Sequence, residues 1–191
     1  DSGASALELN IHIVPTNLDM SAEEYEAKYL DIVTQVRNLI TIPLSVKIGS
    51  GFSNLPAFIN KLYHRNVQGV VLFNRFYQPD IDIDSLSFTT SGVFSSPEDV
   101  KNSLRWVGIT SDLIKDIDIS SSTGVHDGAA AIKLLLAGAQ SIQVCSVLYK
   151  MGIKYIEEIL DQVEKWMEEK EYTSIEEFRG KMSYSSVESP A

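Results

Sequence analysis

Polar side chains recur at one topological position along this chain, where predicted β-strands give way to loops. Asn10, Lys47 and Asn74 lie at three such strand ends, and a turn from Ser120 to Gly124 follows another strand. In a parallel array of strand–helix units, the carboxyl ends of the strands gather on one rim, where catalytic and binding groups collect. We therefore expect an active-site rim assembled from successive units.

The residue types at this rim suit two kinds of chemistry. Lys47 is either a cationic anchor for an anionic or electron-rich cofactor or a nucleophile that forms a Schiff base, unless it only extends from the rim to solvent. The amides of Asn10 and Asn74 offer donors and acceptors to a flavin or pyrimidine ring, although asparagines also commonly end strands. His12, predicted on the same strand face as Asn10, is a candidate base or a core histidine.

The segment from Ser120 to Gly128 joins a strand to a helix and is rich in small residues. Small residues let backbone N–H groups approach an anion at a helix N-terminus, as phosphate sites require, although most such segments are ordinary turns. The loops after the last two strands of a barrel are its usual phosphate site. The candidate phosphate-binding residues of the last two predicted loops are Ser122, Thr123, Gly124, Cys145 and Ser146.

Five strand–helix units in series must position these residues. Strands separated by helices indicate parallel pairing with right-handed crossovers. Ser21 and Glu24 have capping-box spacing, and Ser96 with Pro97 predicts the start of another helix. The predicted strands are 4–14, 43–48, 69–73, 116–120 and 141–147, and the predicted helices are 21–39, 53–65, one from 97, 127–137, 153–169 and a short one at 174–181.

Alternation within the strands favours a barrel over an open, doubly wound sheet. The first strand places Leu7 and Leu9 on one face and Glu8 and Asn10 on the other. A strand covered by helices on both faces is apolar on both, whereas a barrel strand turns one face to helices and one to the lumen. A full barrel needs about 250 residues, so these units predict a partial barrel, truncated before Asp1.

The composition fits a single domain over residues 1–191 and excludes several classes of protein. The net charge of −10 disfavours nucleic acid as a partner, because phosphate contacts need a basic stripe. No apolar run approaches the roughly 18 residues of a membrane span. The single cysteine excludes an internal disulfide or a cysteine-based zinc site and suits the cytoplasm. We expect no metal.

Several motifs resemble the carboxyl-terminal part of dihydroorotate dehydrogenase-like flavoproteins. They are ALELNI, IPLSVKI, GVVLFNRF, STGVHDGAAAIKLLLAGAQSIQVCS and SIEEFRGKMS, and the resemblance runs from about Ala4 to Ser183. It implies an α/β fold, the TIM (β/α)8 barrel of FMN-linked oxidoreductases, with strands 4 to 8 in this chain and the first three absent.

The resemblance also implies roles for the rim residues. Asn10 is expected to contact both FMN and the substrate, Lys47 the pyrimidine edge of the flavin, and Asn74 the substrate. The family's paired glycines at the phosphate correspond to Thr123 and Gly124. Its Gly-Thr pair after the last strand corresponds to Cys145 and Ser146, and backbone N–H groups supply most of the phosphate contacts.

The chain departs from the family pattern at the catalytic base. The family has a cysteine or serine just before a proline in the loop after the first asparagine, where this chain has Ile13 and Val14 before Pro15. Neither side chain accepts a proton, so His12 or a loop residue becomes the candidate proton carrier. Arg75 replaces a small hydroxyl residue and could clamp a substrate carboxylate.

Our leading hypothesis is an FMN-dependent oxidoreductase that oxidises dihydroorotate to orotate in pyrimidine biosynthesis. Its partner would be a small dihydropyrimidine-like molecule, with a homodimer as a candidate assembly. A flavoprotein acting on another dihydropyrimidine-like ring, a Lys47-dependent aldolase or lyase, and a non-catalytic barrel that binds phosphate ligands are the alternatives. Under the truncation hypothesis, we expect residues 1–191 alone to bind FMN more weakly than the protein with the missing strands.

Overall fold

The computed structural model describes residues 3–76 and 78–186, which form an α/β fold. Its elements in chain order are β1 (Leu7–Asn10), α1 (Ala22–Arg37), β2 (Leu44–Ile48), α2 (Leu55–Tyr63), β3 (Gly69–Leu72), β4 (Gln78–Asp82), β5 (Ser87–Ser91), α3 (Val100–Leu113), β6 (Asp118–Ser122), α4 (Gly128–Ala137), β7 (Ser141–Gln143), α5 (Ser146–Met151) and α6 (Tyr155–Glu169). Single 3₁₀ turns at Pro97–Asp99, Ile175–Glu177 and Tyr184–Ser186 complete the chain.

Five strands form one parallel sheet in the order β1-β2-β3-β6-β7, which confirms the predicted α/β fold with parallel pairing. The register places Asn10 of β1 opposite Lys47 of β2, so two of the predicted rim residues are neighbours in the ladder. The sheet is not closed into a barrel, and β1 and β7 are its edges.

The core lies between one face of this sheet and the helices. Leu44, Val46 and Ile48 of β2 are fully buried and belong to the same apolar cluster as the α2 side chains. Ser45 and Lys47, which alternate with them, are only partly buried. The period-two pattern of a strand therefore separates an apolar, helix-covered face from a polar face, as predicted.

The polar face is strongly concave. In a flat sheet, four strand spacings would separate the edge strands β1 and β7 by about 19 Å. Nevertheless, the Gln143 side chain of β7 donates a hydrogen bond of 2.6 Å from Nε2 to the Glu8 carboxylate of β1. The two edges therefore curl toward each other across the concave face.

The long loop predicted after β3 contains an antiparallel hairpin, β4–β5, that sequence reasoning missed. The strands are not joined by a two-residue turn such as Asn-Gly, because four residues separate them. The turn is instead stabilised by the Asp82 carboxylate, which accepts hydrogen bonds from the N–H groups of Asp84 and Ser85. Such an aspartate-centred turn is a recognised local signal.

Several strand bounds also differ from the predictions. β6 is Asp118–Ser122 where 116–120 was predicted, and β3 ends at Leu72 rather than at residue 73. β1 ends at Asn10 rather than at residue 14, because the Ile13 N–H donates to the Tyr29 hydroxyl instead of to a neighbouring strand. β7 ends at Gln143, and Cys145 already precedes α5. The helix predicted at 174–181 is a single 3₁₀ turn at Ile175–Glu177.

The helix starts are close to the predictions. Ser21 and Glu24 form the predicted capping box of α1. Ser96 forms a second capping box with Asp99 over a short 3₁₀ turn that begins at Pro97 and leads into α3. Helix α2 was predicted from Ser53, but its N-cap is Asn54, whose side chain accepts the Ala57 N–H at 3.1 Å.

This cap position is directly testable. We expect Asn54→Ala to lower the free energy of unfolding by about 1 kcal/mol, because the first turn of α2 loses its side-chain acceptor. Denaturant titration monitored by circular dichroism measures the change. The matched control is Ser53→Ala, one residue earlier on an exposed side chain, which should stay within about 0.5 kcal/mol of the parent. A larger loss for Ser53→Ala would place the cap there.

Candidate active site

A cavity of about 470 Å³ lies at the carboxyl edge of the parallel sheet. It is lined by strand-end residues and by the loops that follow β3, β6 and β7. Every site residue predicted from the sequence lines this cavity except His12. These residues are Asn10, Lys47, Asn74, Arg75, Ser122, Thr123, Gly124, Cys145 and Ser146.

Lys47 extends from β2 across the concave face. Its ammonium Nζ donates to Gln143 Oε1 at 2.8 Å and to Ser122 Oγ at 3.3 Å. An ammonium has three N–H donors, so one remains for a ligand. The side chain is therefore fixed by two other strands rather than extended freely into solvent.

The two asparagines differ in how the protein uses them. Asn74 Nδ2 donates to the carbonyl of Ile11 at 3.2 Å and lies 3.4 Å from that of Lys47, which ties together the ends of three strands. No donor among the described residues bonds Asn74 Oδ1, which can therefore accept from a ligand. Within residues 3–76 and 78–186, no protein group hydrogen-bonds the Asn10 side chain, so its whole amide is available to a ligand.

Arg75 lines the cavity but is already engaged by the protein. Its Nη1 lies 2.9 Å from Asp99 Oδ2, and its Nη2 donates to the carbonyl of Gly92 at 3.2 Å. The same Asp99 oxygen accepts the Ser96 N–H in the capping box that precedes α3. The clamp on a substrate carboxylate predicted for Arg75 stays a prediction, and it would compete with this ion pair.

The turn after β6 presents backbone donors to the cavity. Thr123 and Gly124 both have positive φ, 76° and 82°, and the Thr123 hydroxyl donates to the carbonyl of Phe73 at 3.0 Å. Across the described part of the chain, the N–H groups of Gly124, Val125 and Cys145 find no protein acceptor. An anion in the cavity could therefore accept from them.

The first turn of α4 is less available than the sequence suggested. The Gly128 N–H donates to Gln162 Oε1 and the Ala130 N–H to the Asp127 carboxylate, both at 2.7 Å. A negatively charged N-cap and a glutamine from α6 thus take the donors that we expected at this helix N-terminus. The available donors lie earlier, in the turn itself.

Sequence reasoning missed a group of side chains that brace the cavity wall. Ser95, which is buried, bonds His126 Nε2 through its hydroxyl at 3.0 Å and donates its N–H to Ser146 Oγ at 2.9 Å. Lys150 Nζ donates to the Ser95 carbonyl at 3.2 Å. Burial, and then the charge of Lys150, lower the pKa of His126. The unpredicted hairpin delivers Ser95 here, so only the cap at Ser96 was visible in the sequence.

Gln143 was also missed, although a signal for it existed. It lies two residues after Ser141 and two before Cys145, and the two faces of this strand were not assigned from the sequence. We read this strand only through its last two residues. Its alternation alone would have placed the Gln143 side chain beside Lys47.

His12 lies outside the cavity that holds the other predicted residues. It lines a separate cavity of about 300 Å³ with Val14, Tyr25 and Tyr29, and its ring stacks on Phe76. Burial lowers the pKa of His12. Because β1 ends at Asn10, the alternation that placed His12 beside Asn10 no longer holds beyond that residue.

No helix in residues 3–76 and 78–186 combines the length and hydrophobicity needed to cross a bilayer. The same residues contain no cluster of three or more His, Cys, Asp or Glu side chains arranged to hold a metal ion.

The fold and the cavity define an α/β protein with polar groups at the carboxyl edge of a parallel sheet, where such folds carry their ligand sites. A family model described as dihydroorotate dehydrogenase matches residues 2–167. The chain therefore belongs to the dihydroorotate dehydrogenase family, which confirms the resemblance seen in the sequence.

Individual relatives are distant. The chain is 28% identical over 201 residues to dihydroorotate dehydrogenase A (fumarate) of Lactococcus lactis subsp. cremoris, covering 95% of this chain and 60% of that protein. It is 26% identical over 185 residues to the catalytic subunit of dihydroorotate dehydrogenase B (NAD(+)) of Thermoplasma volcanium, covering 93% and 60%. Dihydroorotate dehydrogenase (fumarate) of Saccharomyces mikatae is 40% identical over 68 residues, covering 36% and 22%. The first two of these relatives align with nearly all of this chain, and the chain spans about 60% of their length.

Gly124 offers a test of how tightly the cavity wall is built. A Cβ atom at Gly124 would lie 2.1 Å from the Val100 backbone nitrogen, at a φ of +82°. We expect Gly124→Ala to lower the free energy of unfolding by more than about 3 kcal/mol, measured by denaturant titration, because the backbone strain adds to the overlap.

Gly152 is the matched control, since its φ is +88° and no atom lies within 4 Å of the added Cβ. Gly152→Ala should cost about 1–3 kcal/mol, from the backbone conformation alone, because its φ of +88° and ψ of 160° lie in a region that is almost restricted to glycine. Equal losses for the two variants would show that α3 does not press against Gly124.

Proposed function

We propose that this chain is part of an FMN-dependent oxidoreductase that acts on dihydroorotate or on another dihydropyrimidine-like ring. One observation carries the proposal. A fixed ammonium, two strand-end amides and a turn with unpaired N–H groups surround the same cavity. Membership of the dihydroorotate dehydrogenase family supports the same reading.

The donor set fits a flavin mononucleotide. Lys47 retains one N–H for the electron-rich edge of a ring, and Asn10 and Asn74 retain amide atoms that match alternating carbonyl and N–H groups. The unpaired N–H groups of Gly124 and Cys145 suit a phosphate. The cavity of about 470 Å³ is within the usual range for cofactor sites.

In this proposal the protein supplies orientation and charge. A bound flavin would accept the hydride, which is the difficult step. Asn10 and Asn74 would hold the substrate ring, and Lys47 would stabilise negative charge that develops beside it. The turn at Thr123–Gly124 and the loop at Cys145–Ser146 would hold the phosphate.

The group that accepts the substrate proton determines which rings the protein can oxidise efficiently. Ile13 and Val14 occupy the position where the resemblance places a cysteine or serine, and His12 lies in the neighbouring cavity. A missing base costs about 10²–10⁴-fold in rate. We propose that the protein either oxidises dihydroorotate slowly or uses a ring that needs no base from this loop.

The other hypotheses have weaker support. A Schiff-base enzyme needs a free amine at Lys47, but this nitrogen is hydrogen-bonded to Gln143 and Ser122. Borohydride trapping of a carbonyl compound on Lys47 would favour that enzyme. Ligand binding without turnover of any dihydropyrimidine would favour a non-catalytic barrel.

We also propose that strands outside this chain complete a (β/α)8 barrel, with β1 as its fourth strand. The curled sheet with unpaired edges at β1 and β7 supports this, as does the share of the relatives that the chain covers. The role in pyrimidine biosynthesis and the cytoplasmic location belong to the same proposal, the latter supported by the single cysteine.

FMN binding tests the proposed function. We expect FMN to bind the protein that includes the completing strands, and residues 1–191 alone to bind it at least tenfold more weakly. Lys47→Met in the longer protein should raise the Kd at least tenfold, because a charge-assisted contact is lost. Quenching of flavin fluorescence gives the Kd, and anaerobic bleaching of the flavin by dihydroorotate reports the reaction.

The control is Lys61→Met, which removes a lysine paired with Glu26 on the helices. Its Kd should match that of the parent protein. Equal FMN affinity in the Lys47→Met and Lys61→Met proteins would contradict the assigned site, and a longer protein without FMN affinity would refute the function.

The hairpin supports the candidate homodimer. Ile81, Ile83, Leu86 and Phe88 are exposed on β4–β5, and the last three are at least 80% exposed. A two-stranded hairpin is marginally stable alone in water, and a cluster of exposed apolar side chains marks an interaction surface. We propose that a second copy covers this hairpin.

Phe88→Asp should convert the dimer to a monomer, because an unpaired carboxylate would be buried at the interface. Sedimentation velocity over a range of concentrations measures the association. The matched control is Leu39→Asp, at an equally exposed leucine beyond the end of α1. A dimer that persists in the Phe88→Asp protein would exclude the hairpin as the interface.

A further inference from the structure

A line of hydrogen bonds crosses the concave face of the sheet from one edge strand to the other. Lys47 Nζ donates to Gln143 Oε1 at 2.8 Å, and Gln143 Nε2 donates to Glu8 Oε2 at 2.6 Å. We call these three side chains the cross-sheet relay. They come from β2, β7 and β1, and the outer two strands do not pair with each other.

The relay has only one consistent direction. The Glu8 carboxylate is an acceptor, so it selects the NH₂ end of the Gln143 amide. The carbonyl end of the same amide must then face Lys47, where it accepts from the ammonium. If the amide turned over, two N–H donors would face the Lys47 ammonium, and one N–H and one carboxylate would lose their partners.

We propose that Glu8 and Gln143 are positioning residues for Lys47, and that they direct its remaining N–H into the cavity at the carboxyl edge of the sheet. A lysine ammonium is a point charge on a flexible four-carbon stem, so it holds one direction only when acceptors fix it. In so far as the cavity ligand is a flavin, this inference rests on the proposed function.

Ser122 cannot replace the relay. Its hydroxyl lies 3.3 Å from Lys47 Nζ, compared with 2.8 Å for Gln143, and a hydroxyl can rotate away. A charge-assisted bond between ammonium and carbonyl is also shorter and stronger when the carbonyl belongs to an amide polarised by a carboxylate. Removal of Glu8 therefore affects Lys47 at a distance, through Gln143.

Three variants test the relay in the protein that includes the completing strands. Gln143→Leu removes both hydrogen bonds and should raise the FMN Kd at least tenfold. Glu8→Leu removes the acceptor that orients the Gln143 amide and should raise the Kd about three- to tenfold. The double variant Glu8→Gln with Gln143→Glu restores one donor and one acceptor along the line, and its Kd should return to within about threefold of the parent value.

A second measurement needs no flavin. In ¹⁵N spectra, the Lys47 Nζ–H protons should exchange slowly with water in the parent and in the double variant, and fast after Gln143→Leu or Glu8→Leu. The matched control is Glu26→Leu, which removes a carboxylate that lies 2.6 Å from Lys61 Nζ on the helices, away from the relay. It should leave both the Lys47 exchange rate and the Kd unchanged.

Two results would overturn the inference. One is a Lys47 exchange rate that Gln143→Leu leaves at the parent value. The other is a double variant whose exchange rate is no slower than that of Glu8→Leu alone. If the parent chain and the longer protein both fail to bind FMN, the proposed function fails, and the exchange rates still decide whether the relay positions Lys47.

Discussion

The site depends on the parallel pairing of strands that are far apart in sequence. Each crossover returns the chain to the same end of the sheet, so every strand delivers its last residues to one edge. The Lys47 ammonium contacts Ser122, 75 residues later, and Gln143, 96 residues later. No local motif could bring these groups together, and the chemistry of the cavity is therefore a property of the sheet rather than of any loop.

The two faces of this sheet impose different requirements on the same strands. Helices cover one face, where Leu44, Val46 and Ile48 are fully buried. On the other face, polar side chains from β1, β2 and β7 meet and hydrogen-bond one another, so they keep partners that an apolar layer would not supply. Curling shortens the distance across that face until Glu8 and Gln143 touch. A flat sheet of the same sequence would leave Lys47 without its Gln143 acceptor.

Short-range signals in the sequence were sufficient for the parallel sheet and for part of the site, but not for the β4–β5 hairpin. Period-two alternation identified the strands and their polar face, and the Ser21–Glu24 spacing identified a helix start that the structure contains. Hydrogen bonds between residues far apart in the sequence could not be predicted from such signals. They determine where β1 ends and which group Arg75 binds. The Tyr29 hydroxyl ends β1 early and so separates His12 from Asn10. Asp99 engages Arg75, because a capping box places its carboxylate there.

The early end of β1 places the residues proposed to hold a ligand on strands, and the position proposed to accept a proton in a loop. Asn10 and Lys47 lie on strands, where the pairing of β1 with β2 and the packing of the neighbouring apolar side chains fix their positions. Val14 lies in a loop that Tyr25 and Tyr29 of α1 hold through the N–H groups of Asn17 and Ile13. Those bonds use backbone donors, so side chains in the loop can change without loss of the fold. Under the proposed function, the strands would therefore keep the cofactor site while the loop would determine which ring is oxidised, and Ile13 or Val14 stands where the resemblance places the base.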